Sequence, residues 1–221
     1  MKVQDLVEIA AEKYGGEEAV LTKLPAAATE TTLTNLPDNR YLSCASKCVF
    51  QAGFVWRVIE SKWPEFEEVF KGFNPLGMAS MSDERIDQLM QDERIVRNRQ
   101  KILTIRENGL MMVEIAAEHG SFAEFIAGWP PANIVELWSI LKRRGSRLGG
   151  MTGPRLLRAV NKDTFILTED VVKALVNHKL IDNIPTNSKK SMQVAQSAFN
   201  KLSDESGWSL CQISKLLALT I

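Results

Sequence analysis

The chain has only two histidines, two tyrosines and three cysteines in 221 residues, and no excess charge, since 27 basic side chains balance 27 acidic ones. Each scarcity removes a class of protein. Cys44, Cys48 and Cys211 are odd in number and form no CxxC pair, so no disulfide framework is expected and the thiols read as buried and free. Cys44 and Cys48 would share a helix face, but zinc would need two more ligands from His119, His178 or Cys211, and nothing brings these together at ligand spacing. No metal is expected. No run of about 18 apolar residues is present, and MKVQDLVEIAAEKYGG mixes acids and bases among apolar positions, unlike a signal peptide. A cytoplasmic protein without a membrane partner is expected. Zero net charge argues against a protein that coats nucleic acid, because such affinity comes from neutralising many phosphates at once. The chain has no Walker loop, no GxGxxG after a strand, no GxSxG and no HExxH, and no cofactor is expected.

What the sequence has in quantity is helical pattern. Its 45% hydrophobic residues suit one sizeable domain or two small lobes sharing a core, and they recur at three- and four-residue spacing nearly throughout. Val3, Leu6, Val7, Ile9 and Ala10 open a helix that stops near Gly15 and Gly16. AAATETTLTNLPDN has no clear period and is expected to be irregular, with short turns. Asp38 reads as the N-cap of a helix through YLSCASKCVFQ, broken at Gly53 and resumed through FVWRVIESKW; Pro64 reads as the start of another, where its missing N–H costs nothing. Ser82 caps a helix to Met90, Asn98 begins a long one to His119, Ser121 a short one to Ala127, and Asn133 caps one running to Gly145. Thr152 to Val160, a segment capped by Thr168, Lys189 to Leu202 and WSLCQISKLLAL complete the set. No alternating strand is found, so the fold class is all-α.

Positive charge is concentrated in one place. From Leu137 to Asn161 there are six cations and no acid: Lys142, Arg143, Arg144, Arg147, Arg155 and Arg158. Within this window LKRRGSRLGGMTG joins two helices through a hairpin of about five residues with glycines at Gly149, Gly150 and Gly153. Glycine tolerates positive φ and lets another chain approach its N–H groups, and the start of the second helix makes an anion site. An ordinary αα-hairpin with a solvated basic face explains the same residues. QAGFVW, ending at Trp56, puts two aromatics and a glycine at another helix break, where a planar ligand could rest on the indole or where the rings are core. Thr168, Glu169 and Asp170 read as a cap with first-turn acids that stabilise the helix dipole; a functional carboxylate there needs a cleft opposite it.

In order, FQAGFVWRVIESKWPEFEEVFKGFNP, MQDERIVRNRQKI, SFAEFIAGW and LKRRGSRLGGMTG make the chain resemble the 3-methyladenine DNA glycosylase I family, within the helix-hairpin-helix glycosylase superfamily. The resemblance covers Lys47 to Gly153 and continues more loosely beyond. It implies a helix-hairpin-helix glycosylase fold of two lobes around a base-binding cleft, one of about residues 1–45 plus 165–221, the other of about 46–164 with the hairpin. It also implies a monomeric, monofunctional enzyme of base excision repair. Such an enzyme takes double-stranded DNA, flips out an alkylated purine of the 3-methyladenine type and hydrolyses its N-glycosidic bond. The hairpin would grip phosphate without reading sequence, through Arg144, Arg147, Gly149, Gly150, Thr152, Gly153 and Arg155. Trp56 is the implied aromatic face for the cationic base, Phe50 a second, and Cys48, Gln51 and Tyr41 complete the implied pocket. Asp170 is the implied catalytic carboxylate, which stabilises an oxocarbenium-like sugar and orients water.

Three positions depart from the family's pattern. Its best-known members have a base-contacting glutamate three residues before the QAG triplet, where this chain has Cys48, and that leaves the accepted lesion open. Those members bind zinc through an N-terminal cysteine and histidine and a C-terminal His-x3-Cys; here Asp182 follows His178 and no matching cysteine exists, so no zinc is expected. Superfamily members that also cleave the backbone carry a lysine just inside the second hairpin helix, where Pro154 stands, so no Schiff base is expected. Two other readings compete: a non-catalytic relative that binds damaged or distorted DNA through the hairpin, favoured by Cys48, and a helical interaction domain that uses no DNA, favoured by the neutral charge. Residues 17–40 receive no role from the resemblance.

Overall fold

The computed structural model describes residues 1–183, 185 and 188–221. Among them fourteen α-helices follow one another without a strand, in the all-α class expected. They are α1 (Val3–Tyr14), α2 (Glu17–Leu21), α3 (Glu30–Thr34), α4 (Asp38–Gln51), α5 (Trp56–Val69), α6 (Pro75–Ala79), α7 (Asp83–Leu89), α8 (Arg99–His119), α9 (Phe122–Ala127), α10 (Ile134–Arg144), α11 (Thr152–Ala159), α12 (Glu169–Asn177), α13 (Lys189–Ser206) and α14 (Leu210–Leu219). No helix among the described residues is long and apolar enough to cross a membrane. The chain divides into two compact units: Met1–Ala28 with Pro130–Leu137 and Asn161–Ile221, and Thr29–Trp129 with Trp138–Val160.

In the first unit α14 packs on α1, α12 and α13. Leu6, Val7 and Ala10 give α1 its buried face, and Gly15, at φ 82°, ends the helix in the left-handed conformation that glycine allows. Phe165 and Phe199 stack at 4.2 Å in the core. Both oxygens of Asp163 accept backbone N–H groups at the start of α14, from Leu210 at 3.1 Å and Cys211 at 2.8 Å. An anion belongs there, because those donors have no partner within the helix and the dipole is positive.

The second unit is built on α8, which packs against α4, α6, α7 and α9 and buries Ile102, Ile105, Met112 and Ile115. Beside it, Trp63 of α5 stacks on Phe66 at 4.9 Å and on Phe73 at 5.5 Å. Several local expectations are corrected here. α5 runs through Pro64 rather than starting there, because Ile59, Trp63, Phe66 and Phe70 form one continuous buried stripe whose burial outweighs the hydrogen bond that proline withholds from the preceding turn. The short turns expected in the segment before Asp38 include the single helical turn α3, since Thr29 Oγ1 accepts the Thr32 N–H at 3.1 Å and Leu33 is buried. Asp38 lies inside α4, behind an N-cap at Pro37; its carboxylate accepts from the N–H groups of Phe122 at 3.0 Å and Ala123 at 2.8 Å, and so caps α9 instead. Residues 29–45 group with the hairpin-bearing unit and not with the C-terminal helices, because α3 packs on α9 and α4 on α8.

Candidate functional site

The hairpin lies in the second unit. α10 ends at Arg144 and α11 begins at Thr152, so the connection is seven residues long rather than about five. Close approach explains two of its glycines: a Cβ on Gly153 would lie 2.7 Å from the Leu148 carbonyl oxygen, and one on Gly145 would lie 2.8 Å from that of Leu141. Gly150 is exposed, at φ 58°. No side chain caps α11, and the Thr152 N–H donates to the Gly149 carbonyl at 3.2 Å. The loop is clipped to α8 by Asn108, a fully buried residue that accepts the Ser146 N–H at 2.7 Å and donates to the Ser146 carbonyl at 3.1 Å.

The expected phosphate-gripping cations are not equivalent. Arg144 donates to both oxygens of Glu118 at 2.7 Å and lies 3.8 Å from Glu114, so its guanidinium is held by the acids of α8 and does not project as a free ligand. The same pair of bonds keeps the Glu118 carboxyl below its usual range. Arg147 is exposed, with positive φ, and donates to Gln100 Oε1 at 2.7 Å. Arg155 lies over the Trp56 ring, 4.9 Å from its centroid. Thr152 and Gly149 are half-buried and Gly153 is buried.

Trp56 is the first residue of α5 and 45% exposed, in a turn that also exposes Phe54, Val55 and Val58. Phe50 and Tyr41 differ from the expectation that they face a ligand. Phe50 is fully buried with its ring edge-on to Phe66 at 4.9 Å. Tyr41 is fully buried, its hydroxyl donates to the Leu33 carbonyl at 2.9 Å, and burial, with the Asp38 charge, pushes its phenol far above the usual range. Both are core residues, because the face of α4 that carries them is the one packed inward. Gln51 is buried and donates to Glu60 Oε1 at 3.3 Å. Cys48 is half-buried; burial, helped by the neighbouring Cys44, pushes its thiol up to about 12 against the opposing charges of Arg155 and Lys47. It is therefore a neutral, weak donor at pH 7 rather than an anion. Glu67 is fully engaged, accepting both terminal nitrogens of Arg40 at 2.9 Å and the Ser43 hydroxyl, which itself accepts Trp63 Nε1 at 3.1 Å. Among the described residues no group of three histidine, cysteine or acidic side chains could hold a metal ion.

The structure thus brings Trp56 and Arg155 together, with Cys48 near enough to Arg155 to feel its charge, while Gln51 is engaged by Glu60. It adds Lys101, which sequence reasoning did not single out. This lysine is only 6% exposed and donates through Nζ to the carbonyls of Phe50 at 2.9 Å and Ala52 at 2.7 Å. Lysine is among the residue types least often buried, so the RNRQKI run gives no sign that Lys101 points inward. In the first unit, Asp170 is the second residue of α12 and exposed, in the turn capped by Thr168 Oγ1, which accepts the Val171 N–H at 3.3 Å.

Residues 41–144 match the family model described as methyladenine glycosylase. DNA-3-methyladenine glycosylase 1 of Escherichia coli (strain K12) is 30% identical over 76 residues, which are 34% of this chain and 41% of that relative. The chain therefore spans less than half of that relative's length. The 3-methyladenine DNA glycosylase I of Staphylococcus aureus, a structure concerned with 3-methyladenine recognition, superposes with a TM-score of 0.51 at 25% identity, over 57% of this chain and 77% of that one. The 8-oxoguanine glycosylase/lyase of Methanocaldococcus jannaschii, in complex with a 15mer DNA containing 8-oxoguanine, gives a TM-score of 0.56 over 96% of this chain and 94% of that one. At 13% identity this is a likeness of fold. Residues 41–144 are thus similar to the methyladenine glycosylases, and the all-α fold is like that of a DNA glycosylase across nearly the full chain.

Proposed function

We propose that the chain is a cytoplasmic, monomeric, monofunctional DNA glycosylase of base excision repair, which flips an alkylated purine of the 3-methyladenine type out of double-stranded DNA and hydrolyses its N-glycosidic bond. One observation carries the reading: Arg155 of the hairpin's second helix lies over the exposed indole of Trp56. An enzyme that searches duplex DNA for a damaged base needs a phosphate grip beside a flat apolar surface, and these two residues are the junction of such parts.

Phosphate is held by Arg147, Arg155 and the backbone amides of Gly149 and Gly150, contacts that position the duplex without specifying its sequence. The exposed Phe54 and Val55 supply apolar surface to replace the stacking that an extruded nucleotide leaves behind. Trp56 stacks the extruded base, and a cationic ring gains about 0.5–2 kcal/mol from the indole face. In an N3-methylated adenine the glycosidic electron pair leaves with the base and cancels its positive charge, so little acid catalysis is needed. The oxocarbenium-like sugar that remains is stabilised by the Asp170 carboxylate, which also orients the attacking water. Pro154 stands where a lyase would place its lysine, which favours hydrolysis without strand cleavage.

The test is release of free base from duplex DNA treated with a methylating agent. The protein is expected to release 3-methyladenine, and Asp170→Asn to keep duplex affinity while slowing release about 10²- to 10³-fold. An unaltered rate in that variant removes Asp170 from the mechanism. The second reading, a non-catalytic binder of damaged DNA, is favoured by the neutral Cys48 thiol and by the guanidinium already lying on Trp56. It stands if the duplex is bound and no base is released.

A further inference from the structure

We infer that Lys101 is a positioning residue of the proposed glycosylase site, holding the turn that presents Trp56; its activity readout rests on the glycosylase reading, its geometric readout does not. α4 ends at Gln51, Ala52 leaves the helix at ψ 115°, Gly53 takes φ 72°, and the Phe54 N–H bonds back to the Gln51 carbonyl at 3.1 Å. The chain reverses in these residues, and α5 then starts at Trp56. A helix C-terminus has carbonyls without partners and a negative dipole end, both of which favour a cation. Lys101 supplies that cation from α8. Its Nζ bridges one carbonyl inside the helix, at Phe50, and one beyond its end, at Ala52, and it lies 4.8 Å from the Phe54 ring centroid.

Among the described residues no carboxylate pairs with Lys101; its partners there are carbonyl oxygens and ring faces. Burial, and the like charge of Arg147, push its ammonium below the usual lysine range, so the position works against the charge it carries. An apolar side chain would fill the same space without that opposition. What it would lack is the pair of charge-assisted bonds that fix two carbonyls two residues apart, and hence the direction in which the turn delivers Trp56. The preceding residue, Gln100, accepts from Arg147 of the hairpin loop, so one turn of α8 locates both the base platform and the phosphate grip.

Lys101→Met keeps the length of the side chain and removes the donors. It is expected to bind undamaged duplex within about twofold of the parent protein, and to release methylated base about ten- to hundredfold more slowly in single turnover, the effect of a small misplacement. In a Trp56→Ala background the same change should cost less than about twofold more. The emission of Trp56, read as the difference between each protein and its Trp56→Phe counterpart, should shift in Lys101→Met. Full additivity with Trp56→Ala, parallel losses of binding and release, or an unmoved Trp56 emission each overturn the proposal. If Lys101→Met does not fold, Lys101→Gln undergoes the same comparison. If the parent protein releases no base, the glycosylase reading fails, and the Trp56 emission alone still decides the role of Lys101.

Discussion

Arg144 and Arg147 stand three residues apart in one basic stretch, and their surroundings give them different tasks. The guanidinium of Arg144 is held by the two bonds it donates to Glu118, with Glu114 beyond. Removing it should lower the melting temperature slightly, as an exposed but bidentate pair does, and leave duplex affinity nearly unaltered. Arg147 is bonded to the neutral Gln100 amide, so its charge stays available to an anion. Arg147→Ala should weaken binding to every duplex sequence alike and reduce the slope of log affinity against log salt by about one. A salt titration of both variants by fluorescence anisotropy separates the two, and equal slopes would contradict the assignment.

At the scale of elements, the hairpin depends on Asn108 as well as on its own glycines. Asn108→Leu leaves the Ser146 N–H and carbonyl without the partners they have now, and an unmade buried bond costs about 1–3 kcal/mol. Melting temperature should fall, and amide exchange should quicken first in residues 145–153. Helices whose cap and apolar stripe are local are legible in sequence: Ser82, Asn98, Ser121 and Thr168 each accept a first-turn N–H, at the starts of α7, α8, α9 and α12. Features that depend on a distant partner are not. Asp38 has the composition of a local cap, yet its donors belong to α9, and Pro64 looks like a helix start until the buried stripe of α5 is seen to run through it. The same limit governs the candidate site. Trp56 and the basic hairpin stand out separately, but the contact between Trp56 and Arg155, the acids that hold Arg144 and the inward course of Lys101 all come from residues far away in the chain.

For the molecule as a whole, zero net charge combined with one acid-free window means that the proposed attraction to DNA would be local and rest on few cations, so its salt dependence would be set by those residues rather than by a general positive field. Acid sensitivity is local in the same way. Burial works to raise the Glu67 carboxyl, but the bonds from Arg40 and Ser43 outweigh it and hold the group below its ordinary 4.5. Its stabilisation is therefore present above 4.5 and is lost as pH falls toward the lower folded value, because the unfolded chain takes up the proton first. Melting curves across roughly pH 3 to 6 should show Glu67→Gln less stable than the parent at the upper end and converging with it in acid. A final consequence concerns chain length rather than composition. The hairpin loop is fastened to α8 at Gln100 and Asn108, and the Trp56 turn at Lys101. One residue inserted or deleted among these would swing every later fastening about 100° around the helix axis, so in chains built on this plan the residues between Lys101 and Asn108 can change their letters but not their number.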